Sequence, residues 1–380
     1  MTHRTGFALF VALLVAAPAS AQMSPGPAGE PDTPIDAKQK AAVIESLAVA
    51  VRDRYVFPDK GAQLAKILKQ RHAKKEYDKI TSSKEFADSL LAHMQDFTHD
   101  KHMRVHYRSE PFPVRTENDS RDDAAERKRM LEDSRLRNFG FEKVARLAGN
   151  VGYLELRQFA GLPEAQPTAI AAMNFLGNCD AIIIDLRKNG GGSPTMIQTL
   201  LTYFVEEDDR LHINDFYRRS TNDIEQFYTA SYVPGPRLFG KPLYVLTSNL
   251  TGSAAEEFAY DVQTHKLGTI YGAVSGGAAN PGGMFRLSEH LAAFIATGRA
   301  INPVTKTNWE GVGVKPDVAV PPGDALREAH VAALTKLSEK ADAERKQVLA
   351  GAIEQAKKTP SDPAEDFERR MRRQVQASSK

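Results

Sequence analysis

The sequence predicts an α/β protein with a helical N-terminal part, and three observations carry that reading. Ala181-Ile182-Ile183-Ile184-Asp185-Leu186 and Leu243-Tyr244-Val245-Leu246-Thr247 are near-continuous apolar runs. Such runs belong to strands buried on both faces of a parallel sheet. Each is followed by a glycine-containing turn and a helical pattern, the mark of β-α units. Upstream, residues 36–97 repeat their apolar side chains at helical spacing.

At the N-terminus, His3 and Arg4 precede an eleven-residue apolar run, Phe7 to Ala17, and Ala19-Ser20-Ala21 then offers a small-x-small cleavage site before Gln22. That run is short for a bilayer core of about 30 Å but suits a signal peptide, so residues 1–21 read as an export signal. The mature chain is expected outside the cytoplasm, periplasmic or secreted, with no stable membrane span. Residues 22–35, with Pro25, Pro27, Pro31 and Pro34, read as a flexible leader.

Asp36 opens a helix with Gln39 as its capping-box partner and Ile44, Leu47, Ala48 and Val51 on one face. A second helix runs through Leu64, Ile67 and Leu68, and a third follows Ser82 and Glu85 with Phe86, Leu90 and Met94. The period changes to alternation at His102-Met103-Arg104-Val105-His106-Tyr107, so residues 36–113 form a helical domain running into a strand. Residues 114–146 read as a charged linker, rich in segments such as Glu126-Arg127-Lys128-Arg129. The α/β core occupies 147–322, and a charged helical tail fills 323–380, broken at Pro360 and Pro363. Arg369-Arg370 and Arg372-Arg373 read as a solvated basic face.

A formal net charge of +2 on 380 residues gives no electrostatic reason for a nucleic-acid or acidic-membrane partner. Cys179 is the single cysteine, so no intrachain disulfide forms, and its apolar setting suits a packed small residue.

Four segments carry chemistry. In Asp185-Leu186-Arg187-Lys188-Asn189-Gly190-Gly191-Gly192-Ser193, consecutive glycines after a buried strand let backbone amides approach an anion. Ser193-Pro194 replaces the Lys-Ser/Thr pair of a phosphate loop, which leaves an oxyanion as the better guest. Ser253 lies between a strand and a helix, where the helix N-terminus favours developing negative charge; with Glu256 it also spells an ordinary capping box. Trp309-Glu310-Gly311-Val312-Gly313-Val314-Lys315-Pro316-Asp317 reads as a turn, and Asp100-Lys101-His102 precedes a strand. His99, His102 and His106 lack the carboxylate spacing of a zinc site, so no metal is expected.

Taken in order, these segments resemble the C-terminal processing (tail-specific) serine peptidase superfamily from residue 36 to about residue 322. Asp185 to Gly192 resembles its Asp-Leu-Arg-x-Asn-x-Gly-Gly motif, Ser253-Ala254-Ala255-Glu256 its Ser-Ala-x-Glu, and Gly313 to Asp317 its Gly-Val-x-Pro-Asp. The N-terminal half resembles the branch related to interphotoreceptor retinoid-binding protein. The resemblance implies a ClpP/crotonase-like α/β core beside the helical domain and helical tail, no cofactor, and peptide or protein substrates. It implies Ser253 as nucleophile and amides around Gly191, Gly192 and Ala254 as oxyanion donors. Ser-Lys members carry a lysine where this chain has Ala278, and no lysine lies between Lys266 and Lys306. The tricorn-like branch uses a histidine and a glutamate, matched by His102 and Glu310, with Lys101 standing where that branch has a serine relay. A histidine base implies activity rising through an apparent pKa of about 6–7. The retinoid-binding namesake implies a different class, a non-catalytic binding protein for apolar ligands on the same scaffold.

Export predicts a mature chain beginning at Gln22, which intact-mass measurement on protein from its native compartment checks; retention of residues 1–21 contradicts it.

Overall fold

The computed structural model describes residues 30–113 and 120–367. The predicted signal peptide and the arginine pairs at 369–373 lie outside them.

The helical module begins as its caps require. In α1 (Ala37–Arg54), Asp36 Oδ1 accepts from the Gln39 N–H at 2.7 Å while Gln39 Oε1 accepts from the Asp36 N–H at 2.9 Å. Two donors at the helix start are thus satisfied reciprocally. α2 (Pro58–Ala73) starts on a proline, whose missing N–H is not needed there, and α3 (Ser83–Thr98) is capped by the Ser82 side chain. Ile44, Leu47, Val51, Leu64, Leu68, Phe86, Leu90 and Met94 meet in one buried cluster. Lys40 is buried with them, its Nζ donating to the carbonyls of Tyr77, Asp78 and Ile80 at 2.8, 3.2 and 2.9 Å, which satisfies all three ammonium protons.

The strand that follows, β1 (Arg104–Tyr107), starts two residues later than its alternation suggests. The His102 N–H donates to Asp100 Oδ1 at 3.0 Å and the Met103 N–H to the Asp100 carbonyl at 3.3 Å, so residues 100–103 are held as a turn. Beyond it, α4 (Ser120–Leu136) is a polar helix, as its charge density implies.

In the core, β2 (Phe141–Leu147) and β3 (Val151–Leu156) pair antiparallel, followed by α5 (Gln166–Leu176), β4 (Ala181–Asp185) and α6 (Pro194–Thr202). A hairpin of β5 (His212–Arg218) and β6 (Asp223–Tyr228) precedes β7 (Leu243–Thr247), α7 (Ala254–Thr264) and β8 (Thr269–Gly272). A second hairpin, β9 (Gly282–Arg286) and β10 (Leu291–Ala296), leads to β11 (Gly298–Ile301), β12 (Val318–Ala319), α8 (Ala325–Glu339) and α9 (Ala343–Ala356). The main sheet runs β12-β8-β7-β4-β3-β2 and is parallel except for β2. The sheet therefore begins at Phe141, inside the segment read as linker from sequence.

Both faces of this sheet are covered, which explains the apolar runs. Ile182 and Ile184 pack with Met173, Leu200 and Phe258 of α5, α6 and α7. Ala181 and Ile183 point to the opposite side and meet Ala329, Ala333 and Leu334 of α8, with Leu349 of α9 behind. The C-terminal helices are thus a structural layer. No helix among the described residues is long and apolar enough to cross a membrane.

One excursion ties the two modules together. β1 pairs with β10, Arg104 opposite Phe294 and Val105 opposite Ala293, and Leu291, Ala293 and Ile295 complete the buried cluster of the N-terminal helices. The β9–β10 hairpin leaves the core to close the helical module. Ile295→Ala should therefore destabilise the protein by about 2–5 kcal/mol, read as a lower denaturation midpoint; a loss under about 1 kcal/mol would mean the hairpin is not part of that core.

Candidate active site

The three motifs converge because their loops hydrogen-bond to one another. Carbonyls of the first serve the second: Thr251 Oγ1 donates to Leu186 O at 2.8 Å and the Gly252 N–H to Asn189 O at 3.0 Å. Asn189, fully buried, fixes its own loop by donating to Leu156 O at 2.9 Å and accepting from the Gly191 N–H at 2.8 Å. The Gly191 amide is therefore already engaged, contrary to the expectation of a free donor there. Its importance is steric: a Cβ on Gly191 would sit 2.8 Å from Ser253 Cβ and 3.1 Å from Ala254 N, at a φ of +117°. The neighbouring Gly192 is equally confined, since a Cβ there would meet Phe159 O at 2.0 Å.

Ser253 stands at the head of α7 with φ 52° and ψ −123°. A serine that merely caps a helix adopts extended backbone angles, so this conformation is strained and needs support from its surroundings. Support comes from Glu256. Its buried carboxylate accepts from the N–H of Ser253 (2.8 Å), Gly277 (2.6 Å) and Ala278 (2.9 Å) and from the Ser275 hydroxyl (2.5 Å). Burial pushes this carboxyl up to about 7, against the opposing pull of its four donors. The third motif joins here, the Val314 N–H donating to Ser275 Oγ at 2.6 Å. Ala254, as the first residue of α7, has an N–H with no partner in the helix ladder.

The loop that serves Glu256 continues directly to Glu310. The Ala279 and Asn280 N–H groups donate to Glu310 Oε2 at 2.6 and 3.1 Å, and the Lys101 N–H donates to Oε1 at 2.7 Å. Position 101 thus reaches the carboxylate through its backbone, with no call on a serine hydroxyl. His102 Nδ1 lies 4.0 Å from Glu310 Oε2, the two side chains 14% and 15% exposed. The imidazole packs beside the Phe294 ring on β10, and Nδ1 is buried without a hydrogen-bond partner among the described residues. Burial, and next the Arg104 charge, hold His102 down to about 4, so it is neutral near pH 7. Burial, then the neighbouring Asp100, push Glu310 up to about 7.

Polar atoms of Asp100, His102 and Glu310 lie within 4.8 Å of one another, close enough to hold a cation. Each carboxylate already accepts three hydrogen bonds, Asp100 from Tyr55, His102 and Asn280 and Glu310 from Lys101, Ala279 and Asn280. Among the predicted residues, His102 and Glu310 therefore form one cluster, and Ser253, Gly191, Gly192 and Ala254 a second. Residues 275–280 join the two. Ser275 and Asn280 carry no signal along the chain, whereas Glu256 lies in the Ser-Ala-x-Glu motif and Asp100 in the Asp100-Lys101-His102 segment, without a role of their own in the sequence reading.

Behind the site, Glu257 and Asp261 lie one turn apart on α7, both buried, with Asn302 Nδ2 donating to Asp261 Oδ1 at 3.0 Å. Burial pushes Glu257 from its ordinary 4.5 to about 7, and burial plus Glu257 raises Asp261 well above its usual range. The folded state therefore holds more protons than the unfolded one between about pH 4.5 and 7, and stability falls as pH rises through that window. Glu257→Gln should raise the Tm at pH 8 and leave it nearly unchanged at pH 5. Equal shifts at both pH values would contradict a buried carboxylate.

Comparison with known proteins matches both halves of the chain. The pattern of peptidase family S41 matches residues 150–320, and that of the N-terminal domain of peptidase S41 in eukaryotic IRBP matches residues 37–137. A carboxy-terminal-processing protease of Bartonella bacilliformis is 27% identical over 179 residues, 46% of this chain and 40% of the relative. The chloroplastic carboxyl-terminal-processing peptidase 2 of Arabidopsis thaliana is 28% identical over 173 residues, 45% of this chain and 32% of the relative. The chain thus spans well under half the length of these curated relatives. A peptidase-like protein of Parabacteroides merdae shares the fold, with a TM-score of 0.55 at 19% identity over 80% of this chain and 99% of that one. With both halves matched, residues 150–320 belong to peptidase family S41 and residues 37–137 carry the pattern of its N-terminal domain.

Proposed function

We propose that this protein is a serine peptidase acting on exported polypeptides through Ser253, His102 and Glu310. The observation that carries the proposal is the strained backbone of Ser253, since such strain is kept where a hydroxyl must be presented and not merely where a helix must be capped.

In this reading Ser253 Oγ attacks the carbonyl carbon of a peptide bond while its proton passes to His102. The Gly192 and Ala254 amides receive the charge that develops on the carbonyl oxygen. Collapse of the tetrahedral adduct breaks the C–N bond, and His102 returns the proton to the departing amine. Water, deprotonated by His102, then attacks the acyl-serine, releasing the carboxylic acid and restoring Ser253. Glu310 offsets the positive charge that His102 carries between these transfers. The leader sequence and the relatives named for carboxy-terminal processing point to carboxy-terminal segments of exported proteins as substrates.

A fluorophosphonate probe should label the wild type and not Ser253→Ala, with His102→Ala slower by about a thousandfold or more. Equal labelling of wild type and Ser253→Ala would overturn the nucleophile. A folded protein that labels nowhere would favour binding of apolar ligands instead.

The pH dependence follows from the two buried groups. His102 is neutral above about pH 4, so it is ready to accept a proton throughout the physiological range. Glu310 is protonated below about pH 7 and then cannot oppose an imidazolium. The labelling rate should fall as pH drops through about 7, a midpoint owed to Glu310 rather than to the histidine, and Glu310→Gln should lower the rate and flatten this limb. An unchanged limb in Glu310→Gln would remove the carboxylate from the mechanism.

A further inference from the structure

We infer that Asp100 is a positioning residue of this site: its carboxylate holds the turn that presents His102 to Glu310 and fastens it to the loop that also steadies Ser253. The inference rests on the Ser253–His102–Glu310 reading and adds a residue to it.

Asp100 is 1% exposed, and its carboxylate is shared among three elements. Oδ1 accepts the His102 N–H at 3.0 Å, while Oδ2 accepts the Tyr55 hydroxyl at 3.3 Å and Asn280 Nδ2 at 3.0 Å. Tyr55 ends α1, His102 belongs to the turn itself, and Asn280 comes from the loop before β9. Asn280 serves both carboxylates, giving its side chain to Asp100 and its backbone N–H to Glu310. The same loop, two residues earlier, binds Glu256 through Ala278. Asp100 is thus the point where the histidine turn is tied to the support of the nucleophile.

The plainer role, a turn-forming aspartate, accounts for the His102 N–H alone. Any short side-chain acceptor would fill it. It does not account for a second buried carboxyl beside Glu310, an arrangement that disfavours ionising both. The ionisable and charged groups around Asp100 are Glu310, His102, Tyr55 and Arg104. Within this group two carboxylates and one imidazole converge, so negative charge held on one of the two acids offsets a positive charge arising on His102.

Asp100→Asn tests the role because one carboxylate oxygen becomes an NH2 group, which must face either the His102 N–H or the Asn280 N–H. Fluorophosphonate labelling of Ser253 should slow by about tenfold to hundredfold, the range of one hydrogen bond to a charged group. Removing the neighbouring negative charge also lets Glu310 ionise more readily, so the pH midpoint of labelling should move below that of the wild type. Combining Asp100→Asn with Asn280→Asp restores an acceptor between the two positions and should recover most of the rate. This paired variant is measured in place of the single one if Asp100→Asn does not fold.

A cooperatively melting Asp100→Asn protein with wild-type rate and midpoint overturns the inference. So does a slowed variant whose midpoint is unmoved and whose rate the paired change does not recover, because the residue then serves the fold alone. Ser253→Ala and His102→Ala in the same assay separate the two readings: if these controls label normally, the catalytic assignment fails, whereas their loss beside an unaffected Asp100→Asn removes only Asp100.

Discussion

The carboxylate of Glu256 is the constraint on which the site depends. Four donors from two segments converge on it: the Ser253 amide at the head of α7, and the Ser275, Gly277 and Ala278 groups of a loop some twenty residues on. A buried carboxylate is tolerable only when so satisfied, and losing any one donor leaves an anion short of a partner. The same contacts pin the strained Ser253 backbone and fix the path of the loop. Having served Glu256 through Ala278, that loop reaches Glu310 with its next two residues, Ala279 and Asn280. The two acids are spaced by a stretch of backbone too short to drift.

The larger architecture serves the same end. His102 comes from the helical module and Ser253 from the parallel sheet, so their relation depends on how the modules dock. Docking is achieved by the β9–β10 hairpin, which follows directly from the bridging loop and completes both the β1 sheet and the N-terminal core. Phe294 of that hairpin also packs beside the His102 ring. Position 278, where Ser-Lys relatives carry their base, here gives only its backbone to Glu256, which is consistent with a base supplied from the other module.

Much of this was legible in the sequence, for physical reasons that differ by element. The capping pair Asp36–Gln39 and the doubly buried run Ala181–Leu186 are local signals, and local geometry realises them. The hairpin was not legible, because Leu291 to Ala296 is buried throughout and shows no alternation, and its partner β1 lies nearly two hundred residues away. β2 was hidden by its charge: Glu142, Lys143 and Arg146 suit an edge strand facing water as well as a linker. At the site, Ser253, His102 and Glu310 came from motif order. Glu256 reads as a cap and a motif residue and Asp100 as a residue ahead of a strand, because their long-range donors cannot be seen along the chain. Lys101 in place of serine looked like a missing relay, yet the link to Glu310 is made by the backbone.

The loop 275–280 is proposed to bring a histidine from one module to a serine of the other. A crystal structure of the covalent phosphonate adduct tests it most directly. Phosphorus should be bonded to Ser253 Oγ, with a phosphonyl oxygen accepting from the N–H groups of Gly192 and Ala254 at about 2.7–3.1 Å and a His102 ring nitrogen about 3 Å from the serine oxygen. An adduct on another residue, or one on Ser253 with His102 turned away and a lysine in its place, would contradict it.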